Sequence, residues 1–538
     1  MTTIETFFAG ARRRRDRLCW KFGEREYSWD EAAQIVRRMA RAFVAAGVKP
    51  GECVNIVGPN RPEWLVADLG AIAAGAVPAP IYPTLTGEQA RYIAQHSEAR
   101  VAVVGDERQR EKLAGTQIQH FADFQHLQQF LALGDSVPDA EIDRRIAGLQ
   151  AKSAATLIYT SGTTGPPKAV MLTHGNLMFA AQTGLRIANV TPDDVVVSYL
   201  PLSHVAEQMI TVHGPAVSGA TIWFCDVIEE VPKVLAQARP TVFFGVPRVW
   251  EKMQGRVEER LAGAPPHRRA LIGWAMRDMS RGGGIISRVL TGKIRQALGL
   301  DRARLCLTGA AKMGDATLQF FDSLGLPILD VWGMSESTAM GSANLPDARR
   351  PGTVGRAAEG VEIRIAPDGE ILTRGPHVFA GYFKDEGATR ETIDSEGFLH
   401  TGDVGEIDAE GYLRITDRKK DLLITSGGKN VSPQNIEAQL GRIAGVAQAV
   451  VVGDARKYLG ALIVPEQLAR AHDPEFVAHV EREIGKVNAQ LAQYETIKKF
   501  KVLPAQFSIE SGELTPTLKL KRKVVSQKYK KEIDELFA

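Results

Sequence analysis

The sequence predicts an α/β protein. A large N-terminal domain of parallel-type sheets covered by helices includes a β-rich subdomain from about residue 351, and a small α+β domain follows. Three observations predict this. Apolar strand-like runs alternate with helical patterns through the first part of the chain, the rhythm of parallel strands joined by helical crossovers. After Pro351 the texture shortens to strand-like pieces punctuated by Gly, Asp and Pro. A charged stretch without apolar period, DRKKD (417–421), then separates a last, smaller set of elements.

CVNIVG (53–58) is a short continuous apolar run, the pattern of a strand buried on both faces. WLVADLGAIAAGA (64–76) is a helix of small apolar residues, VPAPIY (77–82) the next strand, Gly87–His96 a polar helix, and RVAVVG (100–105) a further strand. The pattern recurs at VVVSYL (195–200), ATIWFCD (220–226), TVFFGV (241–246), ARLCLTG (303–309) and LPILDVWG (326–333). VEIRIA, GEILTRG and GYLRIT belong to the β-rich subdomain. Beyond the charged stretch come LLITS, then a helix SPQNIEAQLGRI, with Ser432 as N-cap and Pro433 in its first position, then the strands AQAVVVGD and GALIVP.

Composition excludes several classes. A net charge of +3 over 538 residues is too balanced for a nucleic-acid partner. The cysteines Cys19, Cys53, Cys225 and Cys306 are too far apart for metal-ligand or redox spacing, which fits a reducing compartment. The opening MTTIETFFAGARRRR puts its charge after the aromatics, the wrong order for a secretory leader. No apolar run reaches the ~18 residues needed to span a bilayer. The expectation is a cytoplasmic enzyme. Its run Arg12–Arg15 reads as a solvated helix face or as a peripheral contact with an acidic membrane surface.

YTSGTTGPPKAV (159–170) holds two glycines, hydroxyl side chains and a lysine between two strand-like runs. Pro166 and Pro167 oppose a helix there, so this is not the strand–loop–helix phosphate loop G-x-x-x-x-G-K-[ST]. It reads either as a glycine-rich hairpin turn or as a nest of amides and hydroxyls holding a polyphosphate. Other stretches follow in order: LPLSHVAEQ (200–208), GAAKM (309–313), VWGMSESTA (331–339), HTGD (400–403), DRKKDLLITSGGKN (417–430) and PTLKLKRK (516–523).

Together these stretches resemble the adenylate-forming superfamily of acyl-CoA synthetases, luciferases and peptide-synthetase adenylation domains. SYLPLSHVAEQ, VPRVWEKM and ITSGGKNVSPQNIE look most like its long-chain fatty acyl-CoA synthetase branch. The resemblance implies that a fatty acid attacks the α-phosphate of ATP, releasing pyrophosphate, and that coenzyme A then takes the acyl group and releases AMP. The alternatives are an acyl-AMP ligase that loads a carrier protein, and a non-catalytic acyl-adenylate or nucleotide sensor.

The resemblance also implies the site. Thr160, Ser161, Gly162, Thr163, Thr164, Gly165 and Lys168 would cradle the β- and γ-phosphates. Glu336, with help from Thr160, would hold Mg²⁺. Gly309, Ala310 and Ala311 and the ring of Trp332 would flank adenine, with Asp330 accepting from its amino group and Gly333, Met334 and Ser335 continuing the nucleotide site. Relatives often carry tyrosine at the position of Trp332 and threonine at that of Ser335. Asp403 and Arg418 would meet the ribose. Lys519 would be the catalytic lysine, with Lys521 as the neighbouring candidate, since Leu518 stands where relatives often have glycine. His204 would lie near the α-phosphate and the acyl carboxylate. Lys420 would be the hinge of a mobile C-terminal domain, within 418–420 between domains 1–417 and 421–538. The strand carrying Gly427 and Gly428 would reach coenzyme A, and Trp250 would gate the acyl pocket, or simply pack in the core.

Overall fold

The structure is a computed structural model that describes residues 1–160, 166–427, 429–508, 511–515 and 520–538. The chain divides into two compact units. The larger comprises Met1–Ile363, Thr373–Leu399 and Gly411–Leu413, and the smaller Arg364–Leu372, His400–Glu410 and Arg414–Ala538.

In the larger unit the apolar runs pair as expected for crossover connections. Val77–Pro80, Cys53–Val57, Val101–Val104 and His120–Asp123 form one sheet, all parallel. Helix Pro62–Ala73 is buried along almost its whole length, in keeping with its largely apolar sequence. A second sheet runs Arg25–Ser28, Leu18–Phe22, Thr221–Phe224, Val195–Ser198, parallel except for the first pair. In a third, Val242–Phe244, Leu305–Thr308 and Ile328–Trp332 are parallel and carry an antiparallel extension, Ser342–Ala343 and Arg356–Ala357. Parallel strands direct their C-terminal ends to one edge, where ligand sites of such sheets sit.

A smaller antiparallel sheet orders Gly381–Tyr382, Lys168–Thr173 and Ala154–Thr160. The pieces after Pro351 form a four-stranded sheet, Glu362–Ile365, Glu370–Arg374, Leu399–Ile407 and Leu413–Arg418.

In the smaller unit, Val446–Val452 pairs antiparallel with Leu459–Pro465, which pairs parallel with Ile497–Val502. Phe476, Val480 and Ile484, four residues apart on helix Pro474–Asn488, enter its core beside Ile436 and Leu440 of helix Pro433–Leu440. Ser432 does precede that helix with Pro433 in its first position, but its hydroxyl donates to the Thr416 carbonyl at 3.1 Å instead of capping the helix.

The arginine run ends the helix Thr3–Arg14, whose start is closed by a reciprocal Thr2–Glu5 cap. Cations suit that C-terminal end of the helix dipole. Arg14 turns inward: it donates to the Ser218 carbonyl at 2.8 Å and lies 5.1 Å from the Trp29 ring. Only part of the run therefore faces solvent. All four cysteines are buried, unpaired and in the larger unit, and burial pushes each thiol up, Cys53 and Cys306 to about 12. Among the described residues no helix is long and apolar enough to cross a membrane.

Candidate active site

The strands flanking the glycine-rich stretch form an antiparallel hairpin, with Thr160 opposite Lys168 as the last pair before the chain connects them. Ser161, Gly162, Thr163, Thr164 and Gly165 lie outside the described residues. The Lys168 ammonium sits 4.8 Å from the centroid of the Tyr382 ring. Tyr382 belongs to the third strand of this sheet, opposite Val170, and its hydroxyl donates to Glu336 Oε1 at 2.8 Å. Burial and the adjacent carboxylate push the Tyr382 phenol well above its ordinary range, so it stays a donor. One ring thus supports a cation on its face and orients an anion at its edge.

Glu336 is buried in the single 3-10 turn Ser335–Ser337, and its carbonyl accepts the Phe379 amide at 2.9 Å. That turn follows the parallel strand Ile328–Trp332, so Asp330, Trp332, Gly333, Met334, Ser335 and Glu336 come together by chain continuity at a strand's C-terminal end. The Met334 amide donates to Ser337 Oγ at 3.0 Å. A Cβ on Gly333 would come within 2.4 Å of the Ala339 backbone, so only glycine fits that crossing. Thr338 and Ala339 both adopt left-handed φ, 54° and 56°, as does Ala310 on the neighbouring strand end, at 68°. Such strain costs about 1–3 kcal/mol per residue and concentrates at functional sites.

Gly309 packs so close to the adjacent strand that a Cβ would stand 3.0 Å from the Val331 carbonyl. Ala311 follows it in the same loop. Burial pushes the Asp330 carboxyl up to about 7, against the opposing pull of Arg349. Ionised or not, that carboxyl keeps an oxygen able to accept from an amino group. Trp332 is buried, with its six-membered ring against Gly341, where a Cβ would approach to 2.5 Å.

His204 caps the short helix Val205–Gln208, and its Nδ1 accepts the Ala206 amide at 3.1 Å. The neutral ring therefore carries its proton on Nε2. The segment before it is tied down by two residues that the sequence reading missed. Asn60 donates to the Leu200 carbonyl at 2.6 Å and to Ser198 Oγ at 2.9 Å, and Ser198 donates to Glu207 Oε1 at 2.8 Å. Glu207 is fully buried and pushed up to about 8. A π-helical turn, Met209–His213, follows directly, a rare distortion found mostly at functional sites.

Trp250, expected at the mouth of an acyl pocket, is fully buried. Its Nε1 donates to the Gly245 carbonyl at 3.0 Å, and its ring meets Phe243 and Phe321 edge-on. That is the core-packing arrangement.

In the smaller unit, Arg418 Nε donates to Asp403 Oδ1 at 2.8 Å, the two residues lying on neighbouring strands. Lys419 bonds Asp368 at 2.6 Å and Glu370 at 3.0 Å. Lys420 sits in the turn closed by the Asp421 and Leu422 amides on the Arg418 carbonyl. Gly427 stands at the tip of a hairpin between Leu423–Ile424 and Asn430–Val431, not within a strand, and a Cβ there would meet only Thr425 Oγ1 at 3.9 Å; Gly428 lies outside the described residues.

Lys519 lies outside the described residues too. Its neighbour Lys521 precedes helix Arg522–Lys528 and donates its amide to the Glu513 carbonyl at 2.7 Å. Arg522, the arginine of PTLKLKRK, is an internal anchor: both its terminal nitrogens reach Glu437 at 2.8 Å. Among the described residues no cluster of three or more acidic, histidine or cysteine side chains could hold a metal by itself.

Comparison with known proteins accounts for nearly the whole chain. The AMP-binding enzyme family model matches residues 7–383, and the AMP-binding enzyme C-terminal domain model matches 420–538. The long-chain-fatty-acid–CoA ligase ACSBG2 of Xenopus laevis is 34% identical, over 95% of this chain and 79% of its own. The long-chain-fatty-acid–CoA ligase FadD15 of Mycobacterium bovis is 35% identical, over 94% of this chain and 91% of its own. Among solved structures, the O-succinylbenzoate coenzyme A synthetase of Bacillus subtilis in complex with AMP shares the fold, with a TM-score of 0.77 at 22% identity over 97% of this chain and 98% of its own.

Proposed function

The chain belongs to the AMP-binding enzyme family, and from that premise we propose that it is an ATP-dependent long-chain fatty acid–CoA ligase. A fatty acid carboxylate attacks the α-phosphorus of ATP, pyrophosphate leaves, and the acyl-adenylate forms. The thiol of coenzyme A then adds to the acyl carbonyl, loses its proton, and AMP departs with the electron pair of the broken acyl–phosphate bond. The observation that carries this reading is the identity to two long-chain-fatty-acid–CoA ligases at 34% and 35% over almost the whole chain.

The first step brings one anion onto another, so it needs fixed positive charge and donors around the phosphorus. Lys168 and the residues from Thr160 to Gly165 take the outer phosphates. Glu336 fits Mg²⁺: it is a buried hard-oxygen donor held by Tyr382, and this ion takes few protein carboxylates alongside phosphate oxygens. When bound, Mg²⁺ supplies neutralising charge for the polyphosphate. His204, protonated on Nε2, donates toward the acyl carboxylate and α-phosphate. Gly309 to Ala311, Asp330 and Trp332 to Ser335 receive the base, and Asp403 and Arg418 the ribose. Lys519 offsets charge in adenylation, Lys420 provides the pivot to the second step, and Gly427 and Gly428 admit the pantetheine arm.

ATP–pyrophosphate exchange across acids of increasing length, followed by thioester formation with coenzyme A, tests this. Exchange that depends on a long-chain acid, with AMP as the product, is the expected result. ADP as the product refutes adenylation. Exchange without coenzyme A thioester would point to a carrier protein as acceptor.

A further inference from the structure

Helices Pro266–Met279 and Ile285–Ala297 of the larger unit pack against each other, and on them Ala275, Ser287 and Thr291 are buried. The turn between them is built, not slack. The Asp278 carboxylate accepts the Gly284 amide at 2.8 Å and the Ser287 hydroxyl at 2.6 Å, and its carbonyl accepts the Arg281 and Gly283 amides at 2.9 and 3.0 Å. Gly282 and Gly283, at φ 109° and 61°, allow the reversal. This turn fixes the start of the second helix, and what it presents there is apolar. Ile285 is 82% exposed, Ile286 63% and Val289 56%, with Leu271 and Trp274 at 47% and 44% on the first helix.

Single exposed apolar residues are ordinary, but a cluster held out by a hydrogen-bonded turn marks an interaction surface. Its charge says which kind. Residues 266–297 carry seven Arg or Lys and a single acid, Asp278, whereas the whole chain has a net charge of only +3. A two-fold contact with a second copy would set seven cations against seven. An anionic lipid surface would neutralise them instead. Arginine stems can lie along apolar surface with the guanidinium at headgroup level, and tryptophan favours the same depth.

We propose that this helical hairpin is a docking surface for an anionic lipid bilayer, with Ile285, Ile286 and Val289 entering the acyl boundary and Arg281, Arg288 and Lys293 meeting headgroup phosphates. The proposal is independent of the reaction assigned above. It also moves the membrane contact away from Arg12–Arg15, where Arg14 is engaged inside the fold.

Flotation of the full-length protein with vesicles of phosphatidylcholine alone, and of phosphatidylcholine mixed with phosphatidylglycerol, tests it. Binding should require the anionic lipid and weaken as salt rises. The pairs Ile285→Ser/Ile286→Ser and Arg281→Gln/Arg288→Gln should each lower the partition coefficient by about tenfold or more, with thermal unfolding unchanged because these side chains are exposed. The pair Arg12→Gln/Arg13→Gln should bind as the unaltered protein does. Equal binding to both vesicle types, undiminished binding in both hairpin pairs, or a loss confined to the Arg12/Arg13 pair overturns the proposal. So does a dimer, without vesicle binding, that the Ile285/Ile286 pair abolishes.

Discussion

Tyr382→Phe isolates one hydrogen bond in the candidate site. The substitution removes the hydroxyl that reaches Glu336 at 2.8 Å, yet keeps the ring that lies under Lys168 and packs edge-on against Phe379. The fold should therefore survive. A hydrogen bond to a charged group contributes about 1.5–3 kcal/mol. If all of it acts in the adenylation step, at about 1.4 kcal/mol per tenfold, kcat/KM for ATP falls by roughly 10- to 150-fold. The assay is ATP–pyrophosphate exchange at saturating fatty acid over a range of Mg²⁺. Higher Mg²⁺ should recover part of the loss, because the carboxylate remains but is no longer oriented. The double variant with Glu336→Gln should lose no more than Glu336→Gln alone, since the tyrosine acts through that carboxylate. Exchange within about twofold of the unaltered enzyme, or losses that simply add, would refute the role of Tyr382 as the residue that positions Glu336.

Lys519→Ala should lower exchange by about 10²–10³-fold while preformed acyl-adenylate still reacts with coenzyme A; full exchange would remove Lys519 from the active site. Lys420→Pro fixes φ in the turn at 418–422, so thioester formation should fall further than adenylation; equal losses in the two half-reactions reject the pivot. Asp68 is fully buried, neither carboxylate oxygen has a hydrogen-bond partner, and burial raises it from 3.8 to about 7. A raised carboxyl stabilises the fold below its unfolded pKa and loses that contribution as pH rises through the folded one, here from about 4 to about 7. Between pH 5 and 7.5 it should account for about 2–3 kcal/mol of lost stability, absent in Asp68→Asn when urea unfolding is compared at both pH values; parallel slopes would show that Asp68 does not titrate in this window.

The parallel strands were legible because strands buried on both faces read as unbroken apolar runs: CVNIVG, TVFFGV and LPILDVWG all became sheet members. That a strand, and not a helix, follows the glycine-rich stretch was legible from Pro166 and Pro167, which oppose a helix. Tyr382 was not, because a tyrosine 46 residues from Glu336 carries no local signal of its partner; strand pairing with Val170 brings it there. Asn60 and Glu207 were hidden for the same reason: 147 residues separate them, and a buried acid in a polar motif looks like a solvated one. Arg522 was submerged in a run of basic residues whose members differ only in which one finds Glu437. Gly427 reads as a strand residue in the sequence because two glycines beside an apolar run fit a thin strand as well as a hairpin tip.

The four sequestered sulfhydryls leave the larger unit chemically quiet toward acylation. An activated acyl group passed to a thiol acceptor would find no competing nucleophile among Cys19, Cys53, Cys225 and Cys306, each protonated at neutral pH and shielded from solvent. The same property makes them a built-in reporter. A thiol-reactive dye that labels the native protein can do so only when the larger unit opens, so its labelling rate clocks that opening while the cysteine-free smaller unit stays silent.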